Sequence, residues 1–78
     1  MKELVEYIAG ALVENPAEME VVEERSGNKV RLELHVAKDD MGRVIGKGGR
    51  VANSTRLLLR VAAAREGKQA TLDVVEPK

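Results

Sequence analysis

The first apolar positions of the chain recur three or four residues apart, which is the spacing of one face of an amphipathic helix. These positions are Leu4, Val5, Ile8, Leu12 and Val13. The helix should end before Asn15-Pro16, because the residue that precedes proline is disfavoured in the α region. The pattern therefore predicts a helix over residues 2–14.

Residues 19–23 and 30–36 are rich in valine and leucine, and the second segment alternates apolar and polar residues strictly. The segment between them contains glycine and asparagine, which are typical of a tight hairpin turn. This turn consists of Ser26, Gly27, Asn28 and Lys29. We therefore expect two antiparallel strands. The buried face of the second would carry Val30, Leu32, Leu34 and Val36.

A glycine-rich break separates two further helices. Asp39 or Asp40 can cap a short helix that reaches about Ile45, after which Gly46 begins a run with three glycines in four positions. A longer helix is predicted over residues 50–66 and is stopped by Gly67. Its broad apolar stripe should face a sheet. The stripe comprises Val51, Ser54, Leu58, Val61 and Ala62, widened by Leu57 and Ala64.

Alternation over residues 70–75 predicts a third strand, and Pro77 ends regular structure. The element order is αββααβ, which is an α+β class. The long helical connection between the second and third strands favours a parallel pair beside the antiparallel hairpin. We expect one domain over residues 1–78, with a mixed three-stranded sheet and three helices on one face. The other face would expose Arg31, Glu33, His35, Thr71 and Asp73.

Composition excludes several classes of function. The 78 residues contain no cysteine and one histidine, which excludes a disulfide scaffold, a thiolate zinc site, a cysteine nucleophile and a histidine metal cluster. One tyrosine and no other aromatic residue leave little on which a base could stack. Glu6 and Glu14 interrupt the apolar run of a signal peptide, and no segment comes near the roughly 18 apolar residues of a membrane span. We expect no metal, no cofactor, no membrane contact and a cytoplasmic location.

The net charge is zero, but the two signs are separated along the chain. Residues 1–24 hold one basic and seven acidic residues. Residues 43–65 hold no acid and six basic residues, which are Arg43, Lys47, Arg50, Arg56, Arg60 and Arg65. Such a stretch can be a solvated helix face, but its position beside a glycine cluster favours an anionic partner.

The glycines of residues 46–49 leave the backbone open to a ligand. The loop can take positive φ, and the following helix offers its positive N-terminal end to a phosphate. A Walker A loop requires one more residue before Gly46-Lys47 and a hydroxyl where Gly48 stands. A dinucleotide fingerprint requires glycine at Val51 and a preceding strand. ATPase and dehydrogenase activities are not expected, and a plain link between two helices remains the other interpretation.

The segment Val44-Ile45-Gly46-Lys47-Gly48-Gly49, an apolar pair and Gly-x-x-Gly between two helices, resembles the signature of a KH domain. The order αββααβ is similar to that of type II KH domains, and the resemblance covers nearly the whole chain. The short chain and the run over residues 42–50 resemble the bacterial KH-domain protein A family. This resemblance implies a non-enzymatic protein that binds single-stranded RNA, with roles as an RNA chaperone, in post-transcriptional control and in cell elongation.

In that family the glycine loop would clamp the backbone of about four unpaired nucleotides. The implied RNA-binding residues are Arg43, Val44, Ile45, Gly46, Lys47, Gly48, Gly49 and Arg50, with Ser26, Gly27, Asn28 and Lys29 as an opposite wall. The cations can pair with phosphates, which holds a strand without reading its sequence. Three or four such contacts predict a salt slope of about −2 to −3.

A single KH module should bind RNA weakly, so a homodimer would raise avidity. The resemblance adds a second partner, the larger Jag-type protein that carries its own KH domain. The alternative function is a protein-interaction module that uses Val44, Ile45 and residues 57–59 and binds little RNA. His35 is expected on the exposed face of the sheet, and Asp39-Asp40 as a helix cap rather than a magnesium pair.

Overall fold

The computed structural model describes residues 1–77 and has the predicted element order. The helices are α1 (Lys2–Gly10), α2 (Met41–Ile45) and α3 (Arg50–Arg65). The strands are β1 (Glu20–Ser26), β2 (Lys29–His35) and β3 (Gln69–Val75). Short 3-10 turns lie at Pro16–Glu18, Lys38–Asp40 and Lys47–Gly49. No helix in this range is long and apolar enough to cross a membrane.

The strands form one mixed sheet in the order β1-β2-β3. β1 and β2 are antiparallel, with Ser26 opposite Lys29, so that Gly27 and Asn28 alone make the turn. Gly27 has a φ of 60° and Asn28 has no positive φ, which is the pattern of a type II′ turn whose twist suits a hairpin. β2 and β3 are parallel, because the two helices between them return the chain to the same end of the sheet. The predicted topology is confirmed.

One face of the sheet packs against the helices. The largest fully buried side chains are Leu32 of β2 and Leu59 of α3, each at most 1% exposed. Burial of one such side chain stabilises the fold by about 1.5–3 kcal/mol. The buried cluster comprises Val5, Ala9, Val21, Val30, Leu32, Leu34, Val36, Val44, Leu59, Ala63, Ala70 and Leu72. On the other face Arg31, Thr71 and Asp73 are exposed and Glu33 and His35 are half-buried, so the predicted alternation of β2 is correct.

The apolar stripe predicted for α3 does not face the sheet. The buried residues of α3 are instead Ala52, Thr55, Leu59 and Ala63. Leu57 is 60% exposed, Leu58 is 50% exposed and Val61 is 49% exposed. The alanines on the sheet side let the helix backbone approach the strands closely, so the larger aliphatic side chains lie outside. The predicted orientation of this helix is therefore wrong.

Two element boundaries also differ from the predictions. α1 ends at Gly10, and the N–H groups of Leu12 and Val13 both donate to the carbonyl oxygen of Ala9, at 2.9 and 3.0 Å, in a turn. β1 continues to Ser26 through polar residues, because backbone pairing with β2 persists up to the hairpin turn. The apolar pattern alone cannot show either boundary, since both depend on partners distant in the sequence.

Candidate nucleic-acid interface

α2 and α3 are separated by a loop, residues 46–49, in which all three glycines have positive φ. Gly46 has φ 76° and ψ 169°, Gly48 has φ 66° and ψ 19°, and Gly49 has φ 78° and ψ 13°. The Gly46 conformation belongs almost exclusively to glycine. The helix therefore breaks at this loop, where Lys47 and Gly48 are exposed.

The two ends of this loop differ in their surroundings. A Cβ atom at Gly46 would lie 2.5 Å from Val51 Cγ2 and 2.9 Å from the Val51 backbone nitrogen. The backbone of Gly46 is thus packed directly on the first turn of α3. At Gly48 nothing lies within 4 Å of such a Cβ atom. The loop is anchored on the protein at Gly46 and open to a ligand at Gly48.

Lys47 and Arg50 flank the open side of the loop and are both exposed. Neither makes an ion pair with a carboxylate of residues 1–77. The N-terminal end of α3 adds a partial positive charge at the same place. The electrostatics of the loop therefore favour an anion.

Arg43, which was predicted to contact phosphate, is engaged within the protein. Its Nη2 donates to Glu14 Oε1 at 2.6 Å, and its Nη1 donates to the Asp39 carbonyl oxygen at 2.9 Å. Nη1 also lies 3.5 Å from Asp40 Oδ1. Two carboxylates therefore compensate the charge of Arg43, whereas Lys47 and Arg50 make no ion pair within residues 1–77.

Asp40 holds α2 in place from the interior. Its buried carboxylate accepts the backbone N–H groups of Glu14 and Asn15, each at 3.0 Å, and the side-chain amide of Asn15 at 3.1 Å. The N–H of Glu14 is the largest cause that holds the pKa of Asp40 below its ordinary value, while burial raises it and Asn15 and Arg43 lower it further. Asp40 occupies the N-cap position of α2 as predicted, but its side chain makes no capping hydrogen bond to that helix. It fixes the segment after α1, which ends that helix early.

Replacing Asp40 by asparagine should lower the stability of the fold at pH 7 and weaken its acid sensitivity. A carboxylate with a depressed folded-state pKa stabilises the fold above its unfolded-state pKa of about 3.9, and this contribution is lost as the pH falls through the folded-state pKa. Urea denaturation at pH 7 and about pH 3 measures both effects. Asp39→Asn, the same change at an exposed neighbour, is the control and should leave the pH 7 midpoint nearly unchanged. Equal midpoints for Asp40→Asn and wild type at pH 7 would contradict this assignment.

Two of the predicted contact regions do not lie on the open side of the loop. Val44 is 4% exposed and belongs to the core, so half-buried Ile45 is the member of the apolar pair that can border a ligand. The hairpin turn of residues 26–29 lies at the other end of α3, where the Gln69 N–H donates to the Asn28 carbonyl oxygen at 2.8 Å. α3 has 16 residues and is about 24 Å long. The structure therefore does not bring the hairpin and the loop together.

A groove that the sequence did not indicate lies between α3 and the free edge of β3. We call it the α3–β3 groove; it has a volume of about 190 Å³ and is lined by Arg56, Leu59, Arg60, Ala70, Thr71 and Leu72. Arg56 donates from Nε to the Leu72 carbonyl oxygen and from Nη1 to Asn53 Oδ1, both at 3.1 Å. The spacing of Arg56 and Arg60 predicts that they share a helix face. The sequence does not show that this helix face lies beside the free edge of β3; the packing of α3 on the sheet does.

The aliphatic residues excluded from the core form an exposed surface on the outside of α1 and α3. We call this surface the outer helical face; it carries Tyr7, Leu57, Leu58 and Val61. Beside it an apolar groove of about 450 Å³ runs between the two helices. That groove is lined by Ile8, Ala11, Leu12, Arg50, Val51, Ser54, Thr55 and Leu58. Exposed apolar residues grouped on the same side of two helices mark an interaction site more often than single exposed residues do.

A chain in the order αββααβ, with parallel β2 and β3 and a Gly-x-x-Gly loop between α2 and α3, is a type II KH domain. Comparison with known proteins identifies the family within this class of fold. Residues 2–74 match the family model described as KhpA/KhpB, KH domain. The chain therefore belongs to the KhpA/KhpB KH-domain family.

Relatives extend over the whole chain. The RNA-binding protein KhpA of Halalkalibacterium halodurans is 43% identical over 76 residues, which are 97% of this chain and 100% of the relative. The RNA-binding protein KhpA of Caldanaerobacter subterraneus subsp. tengcongensis is 45% identical over 75 residues, 96% of this chain and 100% of the relative. The RNA-binding protein KhpA of Chlamydia trachomatis serovar D is 38% identical over 78 residues, all of both chains. No solved structure gives a significant match.

Proposed function

We propose that this chain is a non-enzymatic, cytoplasmic protein that binds single-stranded RNA through one KH domain over residues 1–78. The observation that carries the proposal is the open, positive-φ backbone at Gly48, flanked by Lys47 and Arg50 without acidic partners in the described chain. The relatives named RNA-binding protein KhpA support the same ligand. A role as an RNA chaperone or post-transcriptional regulator is part of the proposal.

In this mechanism the loop holds the sugar-phosphate backbone. The strand approaches Gly48, where no side chain obstructs the backbone, and Lys47 and Arg50 each neutralise one phosphate. Bases then pass half-buried Ile45 without an aromatic residue to stack on. Affinity should therefore depend on salt and only modestly on base sequence. Two phosphate contacts at the loop correspond to a salt slope of about −1.4.

Amide NMR titration with an unstructured RNA of about eight nucleotides tests this proposal. The amide signals of Gly46, Lys47, Gly48, Gly49 and Arg50 should shift most as RNA is added. We expect the uncovered face of the sheet, represented by Arg31 and Glu33 on the central strand β2, to remain unshifted. Shifts confined to that face would contradict the proposal.

Part of the surface required by the alternative function, a protein-interaction module, is buried in the core. Val44 and Leu59 are 4% and 1% exposed and lie in the core, so they cannot contact another protein. Leu57 and Leu58 are exposed, but they belong to the outer helical face rather than to the loop. Protein contact and RNA binding therefore use different surfaces and can occur in one molecule.

We also propose that the outer helical face binds a second copy of the chain. This face carries charges of both signs: exposed Glu3 lies one turn before Tyr7 on α1, and exposed Arg65 lies on the same side of α3 as Val61. In a two-fold contact each copy can place its acidic α1 beside the basic α3 of the other, around a shared apolar centre. The family includes both KhpA and KhpB domains, and a KhpB-type domain is the alternative occupant of this face.

Replacing Leu58 by glutamate should convert a dimer into a monomer. Leu58 borders the groove between α1 and α3 and is half exposed, so a buried charge at the contact costs affinity while the free chain still folds. Sedimentation velocity over a concentration series measures the association, with Ala17→Glu, an exposed site away from the helices α1 and α3, as the control. A wild-type chain that stays monomeric alone would overturn the homodimer. Addition of a KhpB-type domain would then show whether that domain is the occupant.

A further inference from the structure

We propose that the free edge of β1 binds an extended, lysine- or arginine-rich segment of another protein, which pairs with β1 as a fourth strand of the sheet. The ligand is recognised by its extended backbone and by its positive charge. This binding does not depend on the glycine loop or on the outer helical face.

β1 lies at one edge of the sheet and pairs with β2 alone. The two-residue turn makes Ser26 and Lys29 a hydrogen-bonded pair, and in antiparallel strands every second residue then points its N–H and C=O to the partner strand. The backbone groups of Val21, Glu23 and Arg25 therefore point away from β2. They have no hydrogen-bond partner within residues 1–77. An unpaired row of this kind is the template for strand addition.

The two edges of the sheet are not protected equally. At β3 a backbone acceptor is already occupied, because Arg56 Nε donates to the Leu72 carbonyl oxygen at 3.1 Å. β1 contains no proline, and its register with β2 runs without a bulge from Glu20 to Ser26. Proline and bulges are two of the means by which proteins block an edge strand. The backbone of β1 is therefore regular enough to accept another strand.

The side chains of β1 favour a positively charged partner. Three of its seven residues are glutamates, and its single cation, Arg25, is paired with Glu23 at 3.0 Å. Glu20 and Glu24 are exposed and make no ion pair within the described part of the chain. In a paired strand the Cβ atoms directly opposite lie about 4.5–5.5 Å away, so lysine or arginine there reaches these carboxylates. The same charges repel an anionic ligand.

The carboxylate of Glu23 is only partly satisfied within the protein. Its Oε2 accepts Arg25 Nε, whereas its Oε1 is buried and has no hydrogen-bond partner in residues 1–77. A buried oxygen without a donor costs stability. A cation on the added strand opposite Glu23 can supply the missing donor, so binding would gain what the free protein lacks.

A second copy of β1 is a poor partner for this edge. In antiparallel pairing the outward-pointing residues lie opposite one another, so strands that overlap well have their two-fold axis at residue 22, 23 or 24. The first axis places Glu20 opposite Glu24, and the other two place Glu23 or Glu24 opposite its own copy. Like charges directly opposite one another destabilise a sheet. A strand with cations at these positions avoids the repulsion.

A designed peptide tests the pairing directly. Labelled Thr-Thr-Lys-Lys-Val-Val-Lys, set antiparallel to β1, places lysines opposite Glu20, Glu23 and Glu24 and valines opposite Val21 and Val22. Fluorescence anisotropy with the whole chain should show saturable binding. The same peptide with methylated second, fourth and sixth backbone nitrogens keeps its charge but loses the donors, and it should bind at least about tenfold more weakly. Glutamates in place of the lysines should abolish binding.

Two pairs of protein variants separate backbone pairing from charge. Arg25→Pro removes an outward N–H and is tolerated at an edge, so it should lose about tenfold in affinity, whereas Arg25→Ala, which keeps the N–H, should bind like wild type. Glu20→Gln/Glu24→Gln should lose about fivefold. Glu6→Gln/Asp39→Asn removes the same number of charges from exposed residues outside the sheet and should change the affinity little.

The proposal is overturned if the methylated peptide binds as well as the parent peptide, or if Arg25→Pro binds like Arg25→Ala, because charge alone would then hold the ligand. It is also overturned if the wild-type chain associates with itself and Arg25→Pro abolishes that association, since a second copy would then occupy the edge. Circular dichroism checks the fold of each variant. Should Arg25→Pro fail to fold, the methylated peptide with wild-type protein decides the same question.

Discussion

Two aspartates introduced into the glycine loop, in Lys47→Asp/Gly48→Asp, should reduce RNA affinity at least about a hundredfold without unfolding the chain. The change removes one of the two cations at the loop and places two carboxylates where a phosphate is expected. The fold should tolerate it, because Lys47 is exposed and nothing lies within 4 Å of a Cβ at Gly48. Aspartate is also one of the few residues that adopt a left-handed conformation at modest cost.

The chain contains a matched control at the opposite end of α3. Gly67-Lys68 has the same two residue types in reverse order, Gly67 has a φ of 68°, and nothing lies within 4 Å of a Cβ there. Gly67→Asp/Lys68→Asp therefore introduces the same charge and a similar backbone strain, far from the loop. We expect anisotropy titrations to show near wild-type affinity for this control. If both variants bound RNA as well as wild type does, residues 46–49 would not be the RNA-binding loop. If both lost binding, the neighbouring hairpin turn of residues 26–29 would also contact RNA.

The sequence predicts those parts of the fold that depend on local pattern. Strict alternation identified β2 correctly, and three glycines in four positions identified the break between α2 and α3. The orientation of α3 was not predictable in the same way, because its sequence offers two competing faces. Leu58 and Val61 have more apolar area, but Ala52 and Ala63 allow closer packing against the strands. Residue size at the contact therefore decided the outcome, rather than the total hydrophobicity of a stripe.

The sequence is equally unable to show which cations near the glycine loop are free to bind an anion. The sequence counts Arg43, Lys47 and Arg50 as equal cations, but it does not show which of them has an internal partner. Glu14, 29 positions before Arg43, reaches that arginine because Asp40 binds the segment after α1. The availability of a charge therefore depends on contacts between distant segments, which a one-dimensional pattern does not record.

Alanine at Gly46 should destabilise the fold more than any other single change in the loop. The conformation of Gly46 is nearly exclusive to glycine, and the new Cβ would lie 2.5 Å from Val51 Cγ2 and 2.9 Å from the Val51 nitrogen. Backbone strain of about 1–3 kcal/mol and overpacking of about 1–3 kcal/mol add to a loss of about 2–6 kcal/mol in the free energy of unfolding. A domain of this size has roughly 5–10 kcal/mol in total, so urea denaturation should show a large shift of the midpoint.

Gly48→Ala separates the two causes, because it introduces the same side chain at positive φ with nothing within 4 Å. It should cost only about 1–2 kcal/mol, the strain of a left-handed alanine. The difference between the two variants then measures the contact of Gly46 with the first turn of α3. Val51→Ala in the Gly46→Ala background should recover part of that difference, since it removes Cγ2 but leaves the backbone nitrogen. Equal losses at Gly46 and Gly48 would mean that the loop is not anchored on α3 and that its open shape at Gly48 has no rigid support.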